Sequence, residues 1–333
     1  MKATLRLSVV AVCLGLLALS AAAQNSYKVS APYTYKNLSV FLIEGKDESK
    51  TDNVLTLQEA MQRGVFRVYE TSDVNELEVE NVSKTFDVFV QSGDIVKGGK
   101  QDRILGVSII IPARSGRISI EAFCVESGRW EKRGAEDSRQ FNSSNDRIVT
   151  KELKLAANSA RSQSDVWAQV SEAQSRLSKN VGGLVNSAES SSSLQLALEN
   201  SKVVANVNDY VKALGGIVNG RSNVIGYAVA INGKVNSADV YVSNALFKKL
   251  WAKMLKASAT EAVAESRGVR LAAPVKTEAI KTFLDDADSA KGKDEKMSAG
   301  ATLTTREDRD NVVFEAKDSK AGKIVHKSYV RKN

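Results

Sequence analysis

Two strand-length runs, Val224 to Ile231 and Lys234 to Val242, meet at Asn232-Gly233, and this junction limits the fold more tightly than anything else in the chain. Asn-Gly accepts positive φ at both central positions of a type I′ turn, so the runs must pair antiparallel in a fixed register. Directly behind them Leu246, Phe247, Leu250, Trp251, Met254 and Leu255 recur at helical spacing. That pattern predicts a helix from about Asn244 to Ala264, with Lys248, Lys249, Lys253 and Lys256 opposite, in solvent. A hairpin feeding a long amphipathic helix is an α+β construction.

The first half carries mainly strand signals. Leu38 to Ile43 is an apolar run, and Thr56-Leu57-Gln58-Glu59 is a capping box that starts a short helix closed by Gly64. Strands are predicted at Phe66–Glu70, Leu77–Asn81, Phe86–Gln91, Leu105–Ile111 and Ile118–Val125, the last two joined by a Pro112-to-Gly116 turn. Asp165 to Lys179 has Val166, Val170, Ala173 and Leu177 on one face, and Ser193 is placed to cap a second helical stretch that Gly215-Gly216 stops. These helices read as an antiparallel pair. A helix over Val275–Ala287, a charged linker over Lys291–Lys296 and a hairpin of Val312–Ala316 with Lys323–Val330 complete the chain. The expectation is an α+β fold with an antiparallel, β-rich N-terminal half, a helical hairpin, and a C-terminal half of mixed β-hairpins and helices. It forms one domain over 24–333, or two lobes, 24–150 β-rich and 151–333 built of helices plus hairpins.

The first 23 residues read as a signal peptide. Lys2 and Arg6 precede an apolar run from Leu7 to Leu19, and Ala21-Ala22-Ala23 follows as a small-residue cleavage pattern. That run is shorter than the roughly 20 residues of a bilayer span, and no later segment is apolar enough to serve as one. The mature chain is therefore expected to begin at Gln24 and be exported to the periplasm or the extracellular space. Of the two cysteines, Cys13 lies in the leader and Cys124 remains, so no internal disulfide is available and the core must carry stability.

The formal charge of +8 is mild and scattered, and aromatics are 6% of residues, a poor basis for a nucleic-acid stacking platform. His326 is the single histidine. A zinc constellation is excluded on that count, no residue pattern names a cofactor, and any Ser-His-Asp arrangement would have to recruit this tail residue.

Candidate site residues cluster between Gly93 and Trp130. Adjacent Gly98 and Gly99, flanked by Lys97 and Lys100 with Arg103 beyond, suit an anion nest of backbone amides completed by basic side chains, or a bulged turn with solvated lysines. Strand parity puts Glu126 on the face of Ile118, Ile120, Ala122 and Cys124. It is then a ligand-reading carboxylate or general base, or half of a buried pair with Arg129. Gln101 can hydrogen-bond a ligand, Trp130 can stack on one or simply pack, and Asp239 can line a cleft or cap a turn. The leading expectation is a binding domain for a polar, anionic small molecule. The alternatives are a glycosidic or N-glycosidic hydrolase using Glu126 with Asp94 or Asp102, and a structural protein of the cell envelope.

Longer motifs carry a resemblance. Leu55-Thr56-Leu57-Gln58-Glu59-Ala60 through Gly64, then Leu77-Glu78-Val79-Glu80-Asn81, Gly93-Asp94, Lys97-Gly98-Gly99-Lys100-Gln101-Asp102-Arg103 and Cys124-Val125-Glu126-Ser127-Gly128-Arg129-Trp130 are similar to the signatures of one family. Gly226-Tyr227-Ala228-Val229-Ala230-Ile231-Asn232-Gly233-Lys234, Asp239 and Leu250-Trp251 extend the match. The family is the ARG and rhodanese-phosphatase-superfamily-associated protein domain. Its name refers to gene neighbourhoods with ADP-ribosylglycohydrolases, and the resemblance therefore implies a role near NAD or ADP-ribose; it implies no particular reaction.

Overall fold

The computed structural model describes residues 27–134, 136, 138–266, 273–318 and 322–333; the signal-peptide expectation lies outside them. The strands begin with Lys28–Val29 (β1), Tyr33–Tyr35 (β2), Leu38–Glu44 (β3), Val54–Thr56 (β4), Phe66–Glu70 (β5) and Glu76–Asn81 (β6). Asp87–Val90 (β7), Asp94–Gly98 (β8), Arg103–Leu105 (β9), Ile109–Ile111 (β10), Arg117–Cys124 (β11) and Phe141–Arg147 (β12) follow. The last six are Val224–Ile231 (β13), Lys234–Tyr241 (β14), Gly292–Lys296 (β15), Thr302–Glu307 (β16), Asn311–Lys317 (β17) and Ile324–Arg331 (β18). The helices are Leu57–Gln62 (α1), Lys151–Leu155 (α2), Gln163–Val181 (α3), Leu194–Leu198 (α4), Ser201–Leu214 (α5), Asn244–Ala264 (α6) and Thr277–Ser289 (α7). The fold is α+β.

The Asn232-Gly233 turn has φ of 52° and 72°, both positive as its chemistry requires. β13 pairs with β14 on one side and β3 on the other, and β14 pairs with β18. A nine-stranded sheet results, running β1-β3-β13-β14-β18-β17-β16-β15 with β2 also on β3. It joins the two ends of the chain and so crosses the residue-150 division. Successive side chains point to opposite faces. Tyr227, Val229 and Ile231 accordingly enter one core with Leu246, Phe247 and Leu250 of α6, while Ala228 and Ala230 enter another with Ile280, Phe283 and Leu284 of α7. Both faces are covered, which is why β13 is apolar and buried along its whole length.

A six-stranded sheet, β12-β8-β9-β11-β6-β5, and a three-stranded sheet, β10-β7-β4, enclose a further core around Leu77, Val79, Val88, Val90 and Leu105. The capping box forms as expected: the Glu59 amide donates to Thr56 Oγ1 at 3.2 Å, and the Thr56 amide donates to Glu59 Oε2 at 2.9 Å.

Four local expectations are overturned. The run from Leu105 to Ile111 is two strands in different sheets, β9 against β11 and β10 against β7. The chain turns at Gly106, whose amide donates to the Glu121 carbonyl at 2.8 Å and where a Cβ would lie against the Glu121 side chain. Residues 292–296 form an edge strand with all five residues exposed, a charged edge of the kind that discourages further pairing. α5 packs mainly on α6 instead of forming a separate pair with α3. Finally, the α6 lysines are a solvated face only in part: Lys248 and Lys249 are exposed, whereas Lys253 and Lys256 are half-buried on a helix that β4 and β12 pack against. Lys253 reaches Asp94 at 2.7 Å, Lys256 reaches Asp146 at 2.6 Å, and Lys249 donates to the Val54 carbonyl. No helix among the described residues is long and apolar enough to cross a membrane.

Gly226 allows β13 to approach β14 closely: a Cβ there would run into the Asp239 carbonyl and lie 2.9 Å from Val240 Cα. Gly226→Ala should therefore destabilise the protein by about 1–3 kcal/mol, the usual range for overpacking. Urea unfolding measures this, and an unchanged midpoint would contradict the packing described.

Candidate functional site

The glycine block forms the turn between β8 and β9. Gly98 and Gly99 have φ of 115° and 58°, and their missing side chains let β12 lie close. A Cβ on Gly98 would be 2.8 Å from the Gln140 carbonyl, and one on Gly99 would enter the Phe141 ring. The amides of this turn already have acceptors inside the protein. Gly98 donates to Asp102 Oδ1 at 2.9 Å, Gly99 to the Gln140 carbonyl at 3.0 Å, and Lys100 to Glu70 Oε2 at 3.2 Å. The chain's own carboxylates thus sit where a bound anion would.

The side chains of the block are engaged as well. Lys97 pairs with Glu199 at 2.8 Å. Lys100 donates to Ser72 Oγ at 2.7 Å and lies 5.0 Å from the centroid of the Trp130 ring, which is 43% exposed. Arg103, fully buried, meets Glu70 at 3.3 Å, the Val74 carbonyl at 3.0 Å and the Cys124 sulfur. Burial, partly opposed by Arg103, pushes the Cys124 thiol up to about 11, so it is a packed thiol and not a thiolate. Gln101 Nε2 donates to the Glu126 carbonyl at 2.7 Å.

Glu126 and Asp102, both wholly buried, share two guanidinium groups. Arg129 meets Glu126 at 2.6 Å; Arg133 spans the two acids, at 2.8 Å from Asp102 and 3.2 Å from Glu126. Ser193, the cap of α4, donates to Asp102 Oδ2 at 2.9 Å, and the Asp102 amide donates to Glu126 Oε2 at 3.0 Å. The environments divide the carboxyls. Burial raises Asp102, with Arg133 opposing and the Glu126 charge adding, whereas on Glu126 the bonds from Arg129, Ser190 and the Asp102 amide outweigh burial and hold it low. Asp94, the other acid of the hydrolase reading, lies apart on Lys253. Sequence reasoning missed Arg133, which stands in an irregular charged stretch with no periodicity to mark it.

A second polar centre uses none of this block. A cavity of about 30 Å³ is lined by Ser92, Ser108, Arg147, Lys154, Asn158 and His326, with Glu121 and Arg161 also on its wall. His326 bridges two strands and a loop: its Nδ1 is 3.0 Å from Ser108 Oγ and its Nε2 is 2.9 Å from Asp239 Oδ1. The ring stacks on Tyr241, centroids 4.8 Å apart. Although burial opposes it, the bond from His326, with the positive charges of Lys154 and Arg147, holds the Asp239 carboxyl below its usual range. An ionised Asp239 can only accept, so Nε2 carries a proton towards it, and in the neutral ring Nδ1 is then the nitrogen that accepts from the Ser108 hydroxyl. The Ser92 amide in turn donates to Ser108 Oγ at 3.0 Å.

Arg147 and Lys154 are 4% and 6% exposed. Among the described residues Arg147 donates to the Ser92 carbonyl at 2.6 Å while its Nε has no partner, and Lys154 makes a long bond to Ser237 Oγ at 3.4 Å. Among the described residues neither has a carboxylate oxygen within the 4.0 Å of an ion pair. The two centres therefore differ in kind, one closed by its own ion pairs and the other holding buried cations without them.

Removing one partner from a closed buried cluster strands the others. Arg133→Met should destabilise the protein by about 3–5 kcal/mol, since Asp102 and Glu126 lose their shared counter-charge. Denaturant titration measures it, and a loss below about 1 kcal/mol would show that the cluster is not closed as described.

Comparison with curated proteins and with solved structures gives no match. A family match does exist, and it covers residues 26–330. It includes the β8–β9 turn, the exit of β11, the central hairpin and nearly all of β18. This chain belongs to the ARG and Rhodanese-Phosphatase-superfamily-associated Protein domain family.

Proposed function

We propose that the chain is a binding domain for a small polar anion, and that the charged group of that ligand seats between Arg147 and Lys154. The observation that carries this reading is that, among the described residues, the two buried cations on the cavity wall have no carboxylate in contact, Asp239 and Glu261 acting on them only from a distance. A buried cation without a contacting counter-charge is destabilising, and an entering anion offsets that penalty for two cations at once. Ser92, Ser108 and Asn158 add hydroxyl and amide groups on the same wall.

The cavity has room for a water or two, so it takes a head group such as a carboxylate or phosphoryl oxygen. The rest of a larger molecule extends past Arg161, which is 33% exposed and pairs with Glu121 and Glu295, each at 2.7 Å. Nucleotide-derived ligands of the NAD and ADP-ribose type, suggested by the family's gene neighbourhoods, carry such a group. In this reading Lys97, Gly98, Gly99, Lys100, Gln101, Arg103, Glu126, Arg129 and Trp130 act as the brace that fixes β8 and β11, and Ser92 lies two residues before β8. Engagement of Glu126 and Asp102 by Arg129 and Arg133 favours binding over a carboxylate-driven hydrolysis at that block. The N-terminal pattern of residues 1–23 favours an exported setting.

Lys154→Met separates this from a purely structural role. It keeps the length of the side chain and removes the unpaired charge, so without ligand it should raise stability by about 1–3 kcal/mol. In the wild type, inorganic phosphate or acetate at 100 times its dissociation constant adds about 2.7 kcal/mol, and in Lys154→Met that gain should vanish. Thermal melts read both effects. A wild-type melt unmoved by either anion, with Lys154→Met destabilised, would contradict the proposal.

A further inference from the structure

The cavity holds a second arrangement that anion binding does not require. Ser108 Oγ, His326 Nδ1, His326 Nε2 and Asp239 Oδ1 form one hydrogen-bonded line, with steps of 3.0 and 2.9 Å. Ser108 is partly exposed and lines the cavity, whereas His326 and Asp239 are 2% and 1% exposed. Three sequence-distant segments supply the line. Ser108 comes from the bend where the chain leaves β9 for β10, Asp239 from β14, and His326 from the neighbouring β18.

We infer that Ser108 Oγ is a nucleophile activated by His326, and that it accepts the acyl group of a short carboxylic ester. The inference rests on the reading of this cavity as the ligand site. Three features support it. The nucleophile and base lie within hydrogen-bond reach, and the base is oriented by a third, ionised group, the geometry that activates a hydroxyl. The ring nitrogens are used in the order opposite to that of the serine proteases, with Nδ1 on the serine. The chemistry is unaffected, because either nitrogen of a neutral imidazole is a base once the other holds its proton. Last, Arg147 and Lys154 line the same cavity as Ser108, and positive charge in a dry site favours a carbonyl oxygen that becomes negative.

The step balances within the site and the substrate. Ser108 Oγ bonds to the carbonyl carbon, its proton passes to His326 Nδ1, and the carbon–oxygen bond of the ester breaks. The alcohol or phenol leaves with the proton from Nδ1, or as its anion, in which case Nδ1 releases its proton to solvent before the next step. Water then attacks the acyl-serine, giving a proton to Nδ1 that returns to Ser108 Oγ as the acid departs. Asp239 touches neither carbon nor oxygen of the substrate; it is a positioning residue that keeps the proton on Nε2. The small cavity sets the substrate class, since it admits a short acyl group and not a long chain.

p-Nitrophenyl acetate tests this on the full-length mature protein. The expected result is release of p-nitrophenolate together with one acetyl group, located by peptide mass mapping on Ser108. Ser108→Ala and His326→Gln should slow that acetylation about 100-fold or more, the scale of a general base. Ser108→Cys should carry the acetyl on its sulfur, which keeps the test decisive if Ser108→Ala fails to fold. Asp239→Asn should slow the reaction and also shift the nitrogen resonances of the single imidazole. Acetylation spread over lysines at the same rate in Ser108→Ala would overturn the inference. If phosphate still raises the wild-type melting temperature in that case, the binding reading stands and only the nucleophile falls; if it does not, both fall.

Discussion

The register of β14 between β13 and β18 is the constraint on which the rest of the molecule depends. The Asn232-Gly233 turn starts that register, and a bulge corrects it. Val229 faces Ser237 while Ala230 faces Val235, leaving Asn236 unpaired between them. Its amide instead donates to Glu261 at 2.9 Å. Beyond the bulge Ser237, Asp239 and Tyr241 share one face of the strand, and Ala238 and Val240 share the other. The first set meets Lys154, His326 and Gln91; the second packs with α7. A slip of one residue would bury Asp239 against Phe283 and expose the alanine to the cations, so packing and polar chemistry enforce the same alignment.

Burial of charge is handled in two ways. At the β8–β9 turn Glu70, Asp102 and Glu126 each have a guanidinium, and the Gly98, Gly99, Lys100 and Asp102 amides each have an acceptor. That closure tethers the turn, the β11 exit and α4 together through Arg133 and Ser193. At the cavity, Arg147 and Lys154 are as deeply placed but keep only neutral partners, with Asp239 and Glu261 farther off. Glu261 is raised by its burial despite Lys154, Asn236 and the Lys151 amide, which weakens its value as a counter-charge.

Local chemistry was legible in the sequence. The hairpin, the capping box at Thr56 and Glu59, the bounds of α6 and the cap at Ser193 each depend on residues within a few positions of one another. The break at Gly106 was not, because it depends on Glu121 from another strand. Nor were the α6 lysines, whose periodicity reports an apolar stripe but not what covers the opposite side. Glu126 and Arg129 were legible as a pair through their spacing; Arg133 and Asp102 were not legible as its other half. The cavity was least visible of all. Ser108 and His326 lie 218 residues apart and His326 and Asp239 lie 87 apart, so only the sheet brings them together. The scarcity of histidine was the one signal, since any such arrangement had to use His326.

That scarcity also gives the most direct test. A long-range proton–nitrogen spectrum of the protein contains a single imidazole, His326, and reports which nitrogen is protonated and what surrounds it. The account predicts the Nε2-protonated form, held by Asp239, with both nitrogen resonances moving as inorganic phosphate fills the cavity. A ring protonated on Nδ1, or one averaging between forms and indifferent to phosphate, would contradict it.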